Sequence, residues 1–508
     1  MAPPFVLVGL SGVLFFGVAL AISWRVMKLD YFFDEMWRID IIRSGDWMAR
    51  ARLQNAFVPA GWVVALRPLR PVFDSPFGWR LVDIGCLVIF LCSLVGALTA
   101  VAGPTGTSSQ RRRAFLTAAG AMAVLPLLPA VSDLTSYFHD YFFQAAYMGV
   151  LVLLCVHLDD DRRFFPAACV ALALSPVFVI GGLFALPAVM AWLTLWAWRR
   201  DGRQRLRHTN VALLSVGTTA FVGAVVYLTL YRPTLTSDIQ DYWKPERLDG
   251  AGGFTGLMTR TFDLFVDGVL RLAFPSLQGM ARLLAGVLLL VGLGVGTWLV
   301  ARRFPWLAAL PYVGWLGVLA ASVVQGWPAT PVRVNVPFVL FAYAFTSFGL
   351  IHMVTRIRTH RVVAALCLVV ALIAFWEPRS DPKPDLVFAR GLRQDLQVIR
   401  DDSSQKDLVL SYHFMSHWYT HDALVNDARD GQDVTVVRDV RDNSHLYADA
   451  KSIAQSTLDA GGTVWCVLPY AMGPTAAGAA CHITGPGVVP VMDYSGVQAR
   501  ILGFRLQR

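Results

Sequence analysis

The sequence predicts a multi-pass α-helical membrane protein that ends in a small extracytoplasmic α/β domain. Hydrophobic residues make up 56% of the chain and charged residues only 16%, whereas about a quarter of an average soluble protein is charged. Apolar stretches long enough to cross a hydrocarbon core of about 30 Å recur throughout residues 1–376. Residues 377–508 return to the mixed composition of a soluble domain. The chain is therefore divided into a transmembrane domain, 1–376, and a soluble domain, 377–508.

Eleven apolar stretches define the expected transmembrane helices. The first lacks the basic residues that open a signal peptide and reaches about 20 residues, so we expect an uncleaved helix. Residues 164–198 would form about 52 Å of helix, too long for one crossing. Because Ser175–Pro176 interrupts them, they are counted as two. The stretches are 4–24, 81–102, 114–131, 141–157, 164–175, 177–198, 210–230, 283–300, 307–324, 334–352 and 362–376.

The distribution of basic residues predicts the orientation of these helices. With the N-terminus in the cytoplasm, five short cytoplasmic connections carry 15 Lys and Arg residues, as the positive-inside rule requires. Counting 164–198 as a single crossing would move five of these arginines to the outer side. Eleven crossings place residues 377–508 on the extracytoplasmic side. We therefore expect a plasma or inner membrane protein with a cytoplasmic N-terminus.

The soluble domain shows alternating strand and helix patterns, which predict a small α/β fold. It also contains Cys466 and Cys481. In an oxidising compartment these two residues could form a disulfide, and two free thiols are the alternative. The β-type runs lie at 407–412, 433–440 and 463–469, and the helical stretch lies at 444–459.

Two extracytoplasmic loops are long enough to contribute to a binding site. Residues 29–80 contain seven arginines and four tryptophans, a mixture that suits an interfacial helix and an anionic ligand such as a lipid-linked phosphate. Residues 231–282 contain Lys244 within YWKPER, followed by GAGG, which predicts a mobile element with a glycine hinge. Lys244 either binds a phosphate when this loop closes or is an ordinary solvated side chain.

An acidic pair, Asp34 and Glu35, directly follows the first predicted helix. Transfer of a sugar to a hydroxyl requires a base that removes the acceptor's proton, and a carboxylate at the membrane face supplies one. The second carboxylate would orient the acceptor or raise the pKa of its neighbour. The alternative is that Asp34 caps an interfacial helix. Its position after the first transmembrane helix favours the catalytic interpretation.

The order of these features resembles the GT-C superfamily of polyprenyl-phosphate-sugar glycosyltransferases, which includes protein O-mannosyltransferases and lipid A aminoarabinose transferases. The motif FFDE at 32–35 is similar to the outer-loop acidic residue taken as the catalytic base in that superfamily. The segment SDLTSYFHDYFF offers His139, Asp140 and Tyr141 for its second polar cluster. The segment TPVRVNVPF offers Arg333 for the arginine that meets the donor phosphate. The resemblance covers the architecture of the transmembrane domain and these three short motifs.

This resemblance implies roles for the remaining polar residues, each of which also has an ordinary structural explanation. His139 and Arg333 would bind the donor phosphate, and Asp140 and Tyr141 would contact the acceptor or a divalent cation; Lys244 is added to the phosphate-binding residues because of its charge and its place in the 231–282 loop. In the alternative, His139 and Asp140 cap a helix and Arg333 snorkels from a span boundary to the interface. Neither His nor Asp repeats at metal-ligand spacing, so the requirement for a metal is left open.

The predicted function is transfer of a sugar from a polyprenyl-phosphate donor to a hydroxyl of an extracytoplasmic glycan, lipid or protein. Asp34 would be the general base and Glu35 would orient the acceptor. The chain contains no P-loop or GxGxxG motif, so direct use of ATP or a nucleotide sugar is not expected. The net charge of +9 is assigned to cytoplasmic loops that face anionic membrane lipid, and nucleic acid is not an expected partner.

Two other classes of protein remain as alternatives. A transporter or flippase of lipid-linked sugars would tend to show internal repeats and ionisable residues near mid-span, and neither pattern is visible in this sequence. A non-catalytic cell-envelope assembly protein would use the helices only as an anchor, and eleven helices are many for that purpose. The enzyme is therefore the preferred interpretation.

Overall fold

The computed structural model of this chain separates into two compact units. The first comprises Met1–Lys28 with Asp40–Arg379, and the second comprises Leu29–Ile39 with Ser380–Arg508. The residues that the structure describes are 4–27, 33–53, 58–102, 107–128, 131, 138–200, 202–234, 248, 253–262, 279–325, 335–356, 391–402, 407–411, 420, 424, 435–438, 453–469, 483 and 485–507.

The first unit is a bundle of apolar helices. Five helices are long and apolar enough to cross a membrane, and four shorter apolar helices accompany them in the described part of the chain, so this is an integral membrane protein. Helices are found at ten of the eleven predicted stretches, and the remaining stretch, 362–376, lies outside the described residues. The helices between residues 4 and 356 are α1 Pro4–Met27, α2 Phe33–Arg43, α3 Trp47–Leu53, α4 Ala60–Leu66, α5 Arg70–Phe73, α6 Pro76–Thr99, α7 Ser108–Val124, α8 Tyr141–Val156, α9 Phe164–Phe178, α10 Leu186–Trp198, α11 Gly202–Val226, α12 Gly253–Phe262, α13 Gly279–Ala301, α14 Pro305–Gln325 and α15 Val336–Arg356.

The predicted division of residues 164–198 into two helices is confirmed. α9 ends at Phe178, two residues after Pro176. Val179 then adopts an extended conformation, and a short 3-10 turn at Gly181–Ala185 leads into α10. Proline favours the end of a helix because it removes one backbone donor and crowds the preceding turn.

The two halves of this stretch run in opposite directions. Near the start of α8, Gln144 accepts a hydrogen bond from the backbone N–H of Ile180 at 2.8 Å. Near the end of α8, the carbonyl of Cys155 accepts one from the Trp192 indole of α10 at 3.3 Å. α10 is therefore parallel to α8. Because only the short turn 157–163 joins α8 to α9, α9 is antiparallel to both.

The alternating helices give the first unit two ends with different chemistry. We call the end that holds Tyr141, Gly181 and Tyr231 the site end. The opposite end, the arginine end, holds the connections that follow α6, α8, α10 and α13. The described basic residues of those connections are Arg111, Arg112, Arg113, Arg162, Arg163, Arg199, Arg200, Arg302 and Arg303.

α13 and α15 pack with their backbones in direct contact at three glycines. A Cβ atom on Gly296 would overlap the carbonyl oxygen of Phe345, and one on Gly349 would overlap the carbonyl oxygen of Gly292. The four-residue spacing from Gly292 to Gly296 is the small-residue pattern that allows close approach of membrane helices. α15 is thus fixed to α13 by backbone contact.

Replacing Gly296 by alanine is therefore expected to push these helices apart and lower the stability of the protein by about 2 kcal/mol. The matched control is Gly294→Ala, because a Cβ at Gly294 has no atom within 4 Å. Alanine at that position should be neutral or stabilising by up to about 1 kcal/mol through helix propensity. Thermal unfolding in detergent compares the two, and equal unfolding temperatures would contradict the close contact.

The second unit contains a five-stranded α/β sheet in the order β2-β1-β3-β5-β4. β1 pairs in parallel with β2 and β3, while β5 pairs antiparallel with β3 and β4. Strands β1 to β3 confirm the three predicted β runs, and the helix at 453–459 lies within the predicted helical stretch. The elements are β1 Leu408–Ser411, β2 Thr435–Arg438, β3 Val464–Pro469, β4 Val488–Ser495, β5 Ala499–Leu506 and α16 Gln397–Asp402.

The terminal hairpin β4–β5 is an element that the sequence interpretation missed. Pro490 interrupts β4, and the pairing shifts register between Pro490 and Met492, as a bulge does. β5 carries the clearer signal, because its residues alternate between buried and half-buried from Ala499 to Phe504. Cys466 in the neighbouring β3 is disulfide-bonded, and Cys481 lies outside the described residues.

Two buried carboxylates stabilise this sheet. Asp395 accepts hydrogen bonds from three consecutive backbone N–H groups, 497–499, at 2.7 to 2.9 Å, which fixes the β4–β5 turn. Asp407 accepts one from the backbone N–H of Thr463 at 2.9 Å and one from the Trp465 indole at 3.0 Å. Their partners are backbone and core groups, so both carboxylates have a structural role.

Candidate active site

A buried segment at the site end, Phe138–Tyr141, precedes α8. Its first side chain, Phe138, packs between the indoles of Trp62 on α4 and Trp79 on α6, with ring centroids 5.3 and 5.1 Å away. Aromatic contacts of this kind combine apolar burial with a preferred ring geometry. They position the three polar residues that follow.

His139 lies against α6 and Tyr141. Its backbone N–H donates to Asp83 Oδ2 at 3.4 Å, and its imidazole stacks on the Tyr141 ring with centroids 4.8 Å apart. His139, Asp83 and Tyr141 are all at least 95% buried. The structure thus gathers two of the predicted site residues with a carboxylate that the sequence interpretation did not single out.

Gln144 orients the carboxylate of Asp140. The amide oxygen of Gln144 accepts hydrogen bonds from the backbone N–H groups of Ile180 at 2.8 Å and Gly181 at 3.1 Å. Since that oxygen is the only acceptor of the side chain, the NH₂ group faces Asp140 and donates to its Oδ2 at 2.5 Å. Asp140 also interacts electrostatically with the Tyr231 phenol at the end of α11. One amide therefore connects the start of α8 to the break between α9 and α10.

Asp140 does not act as a conventional helix cap. It occupies the N-cap position of α8, but its side chain makes no capping hydrogen bond to the helix backbone. It is only 2% exposed, and a carboxylate removed from water at the end of a membrane helix requires polar partners. Its environment fits a functional group better than a cap.

Arg80, Asp83 and Gln144 are the polar residues of this region that the sequence interpretation missed. All three are buried, Arg80 completely. Arg80 and Asp83 lie three residues apart and share one face of α6. The sequence did contain a feature that could have identified them: each is an ionisable or amide side chain within or beside an apolar stretch. Such residues often mark functional positions in membrane proteins. Asp83 accepts from the backbone of His139 and Gln144 donates to Asp140, so these buried polar residues lie together at the site end.

Asp34 and Glu35 lie in α2, which begins at Phe33. Glu35 is fully buried and Arg38, one helical turn later, is 95% buried. The side chain of Asp34 lies outside the described residues. These three residues belong to the second unit, whereas His139 and Asp140 belong to the first.

The C-terminal end of α2 is fixed by a cluster of charges around Asp74. Arg43, the last residue of α2, and Arg70 both donate to the Asp74 carboxylate, at 3.0 and 3.1 Å. The Trp79 indole donates to it at 3.3 Å. Partial burial raises the pKa of Asp74, but the bonds from Arg43, Arg70 and Trp79 outweigh that effect and the pKa is lowered. The cluster therefore contributes to stability at neutral pH, and this contribution is lost as the pH falls through the lowered pKa.

Arg333 and Lys244 lie outside the described residues. Their described neighbours are buried: Asn335 opens α15 and is 0% exposed, and the backbone N–H of Leu248 donates to the Ser322 hydroxyl of α14 at 3.0 Å. The roles assigned to Arg333 and Lys244 remain predictions from the sequence.

The part of the chain that the structure describes shows no evident binding site for a divalent cation. There, no three side chains of His, Cys, Asp or Glu come together as metal ligands do.

Comparison with solved structures identifies the fold. ArnT from Cupriavidus metallidurans bound to undecaprenyl phosphate has a TM-score of 0.54 and 12% identity, covering 99% of this chain and 98% of that one. The apo state of the same protein gives 0.51 and 11%, with 97% of each chain covered. The Archaeoglobus fulgidus oligosaccharyltransferase in complex with Zn and sulfate gives 0.49 and 11%, covering 99% of this chain and 73% of that one.

The first two similarities extend over nearly the whole length of both chains. They show that this chain has the predicted GT-C fold, with the helical membrane domain and the C-terminal sheet in one architecture. No family model and no curated protein matches the sequence.

Proposed function

We propose that this integral membrane protein of GT-C fold is a glycosyltransferase that uses a polyprenyl-phosphate sugar as donor. The observation that carries the proposal is the similarity over 99% of the chain to a structure that holds undecaprenyl phosphate. The buried polar group at the site end supports it, because an anionic phosphate and a reacting hydroxyl both need hydrogen-bonding partners in a water-excluded site.

In the proposed reaction an acceptor hydroxyl attacks the anomeric carbon of the donor. The new glycosidic C–O bond forms while the bond from that carbon to the phosphate oxygen breaks, and the electron pair leaves with the polyprenyl phosphate. Asp34 takes the hydroxyl proton, and Glu35 orients the acceptor. Arg333, His139 and Lys244 stabilise the charge that develops on the leaving phosphate, while Asp140 and Tyr141 contact the acceptor or a divalent cation.

The proposed site faces the extracytoplasmic side. The described connections at the arginine end are rich in basic residues, and such connections are retained in the cytoplasm. The acceptor is then a hydroxyl of an extracytoplasmic glycan, lipid or protein, and the second unit would hold it. A lipid-linked donor explains why an enzyme for sugars is built largely from apolar helices, since the donor's tail stays in the bilayer.

Binding of undecaprenyl phosphate to the purified full-length protein tests this function before the sugar is known. Native mass spectrometry in detergent should show one bound undecaprenyl phosphate, and His139→Ala should weaken its binding about tenfold, as loss of a charge-assisted hydrogen bond would. His157→Ala is the matched control, because His157 lies at the arginine end and pairs with Asp160 at 3.1 Å. Failure of the unaltered protein to bind undecaprenyl phosphate would overturn the proposal.

A further inference from the structure

The arginine end carries two exposed pairs of stacked Arg and Trp side chains. The guanidinium of Arg302 lies 3.5 Å from the ring centroid of Trp298 at the end of α13. The guanidinium of Arg205 lies 3.6 Å from the ring of Trp198, where α10 meets α11. Each indole is more than half exposed, at 52% and 56%. Exposed indoles at the ends of membrane helices lie at the level of the lipid head groups.

Neither stacked guanidinium has a carboxylate partner among the residues that the structure describes. Arg200 provides the contrast, because it stacks on Trp196 and also approaches Asp159 to 3.7 Å. Stacking occupies the flat face of a guanidinium and leaves its in-plane N–H donors available. A phosphate group is the ligand that such donors bind best, through two parallel hydrogen bonds.

α14 packs against both of the helices that carry the stacked tryptophans, α10 and α13. Trp306 of α14 stacks on Trp192 of α10 with ring centroids 5.7 Å apart. The Tyr312 hydroxyl of α14 is hydrogen-bonded to Thr297 of α13 at 2.9 Å. Exposed Arg303, directly before Phe304, adds a third cation at the start of α14. We call this region, with Arg205, Trp198, Trp298, Arg302 and Arg303, the Arg–Trp surface.

We propose that the Arg–Trp surface binds the phosphate head groups of anionic phospholipids, one at Arg205 and one at Arg302. A membrane lipid fits better than free phosphate, because the helices that carry the exposed indoles also carry exposed apolar side chains, such as Leu195 on α10 and Leu290 on α13, which are 44% and 60% exposed. These side chains suit acyl chains, and the guanidinium groups suit the phosphate. The site lies at the opposite end of the bundle from the candidate active site and does not depend on the proposed reaction.

Removal of both stacked guanidinium groups tests the site. In native mass spectrometry of the full chain with phosphatidylglycerol, the double variant Arg205→Gln with Arg302→Gln should lose about tenfold in affinity. The matched control is Arg112→Gln with Arg113→Gln, which removes the same charge at the same end from exposed arginines without ring contacts among the described residues. The control should lose less than about threefold, because exposed arginines that do not stack on a ring give only diffuse attraction.

Two further measurements keep the test decisive. Arg302→Lys preserves the charge but not the planar stacked group, so it should lose part of the affinity while retaining the unfolding temperature of the unaltered protein. Binding of zwitterionic phosphatidylcholine should be the same for every variant. An equal loss in the two double variants, or no loss in either, would overturn the proposal, since attraction would then not depend on the stacked arginines.

Discussion

Asp34→Asn is expected to lower the rate of sugar transfer by about a hundredfold to ten-thousandfold, the range contributed by a positioned general base. An amide of the same shape keeps the packing of α2 but cannot accept the acceptor's proton. Binding of undecaprenyl phosphate should be unchanged, because Asp34 acts on the acceptor in the proposed mechanism. The measurement is transfer from a polyprenyl-phosphate donor by the protein in reconstituted membranes.

Asp46→Asn is the matched control for this experiment. Asp46 lies in the same outer loop, and its carboxylate accepts a hydrogen bond from the backbone N–H of Ala49 at 3.1 Å at the start of α3. Asn caps a helix about as well as Asp, so this variant should retain full transfer. Full transfer by Asp34→Asn as well would eliminate the proposed base.

Gln144→Glu should reduce transfer at neutral pH and recover it as the pH is lowered. The introduced carboxylate can still accept hydrogen bonds from Ile180 and Gly181, but it faces the Asp140 carboxylate where the native amide donated. Two adjacent carboxylates repel each other unless one of them holds a proton. Protonation restores a donor between them, so activity and stability should be higher at acidic pH than at neutral pH.

Two further variants test whether Gln144 orients the Asp140 carboxylate for the reaction or only contributes to packing. Gln144→Leu leaves two backbone N–H groups and one carboxylate oxygen without their partner, which should lower stability by about 3 kcal/mol at every pH. Gln204→Glu makes the same change at the arginine end, where Gln204 accepts from Arg162 at 3.0 Å, and should leave transfer unaffected. A pH profile for Gln144→Glu identical to that of the unaltered protein would show that Asp140 takes no part in the reaction.

The sequence predicted the architecture well because hydrophobic length and loop charge determine it. The break after Pro176 follows directly from the limited thickness of a bilayer, and the positions of strands β1 to β3 follow from short apolar runs. The hairpin β4–β5 was harder to predict from the sequence. Pro490 and the register shift after it disrupt the regular alternation of side chains that marks a strand. The pattern of apolar and polar residues predicted secondary structure least well where contacts with other strands determine the conformation.

The candidate site was only partly visible in the sequence. His139, Asp140 and Tyr141 stand next to one another in the chain, so their shared burial could be predicted. Asp83 lies 56 residues from His139, and Gln144 lies 36 residues from Ile180. Only the folded bundle brings such distant residues together, so a partner for Asp140 could not be predicted from the sequence.

The shortness of α9 also affects the surrounding bilayer. Its 15 residues form about 22 Å of helix, less than a hydrocarbon core of about 30 Å, and Val170 and Leu174 on it are exposed. Local thinning of the bilayer is one way in which a membrane accommodates so short an apolar surface. If the protein acts as proposed, such thinning would bring head groups of the adjacent leaflet closer to the Gln144–Ile180 junction and shorten the path of a lipid-borne phosphate.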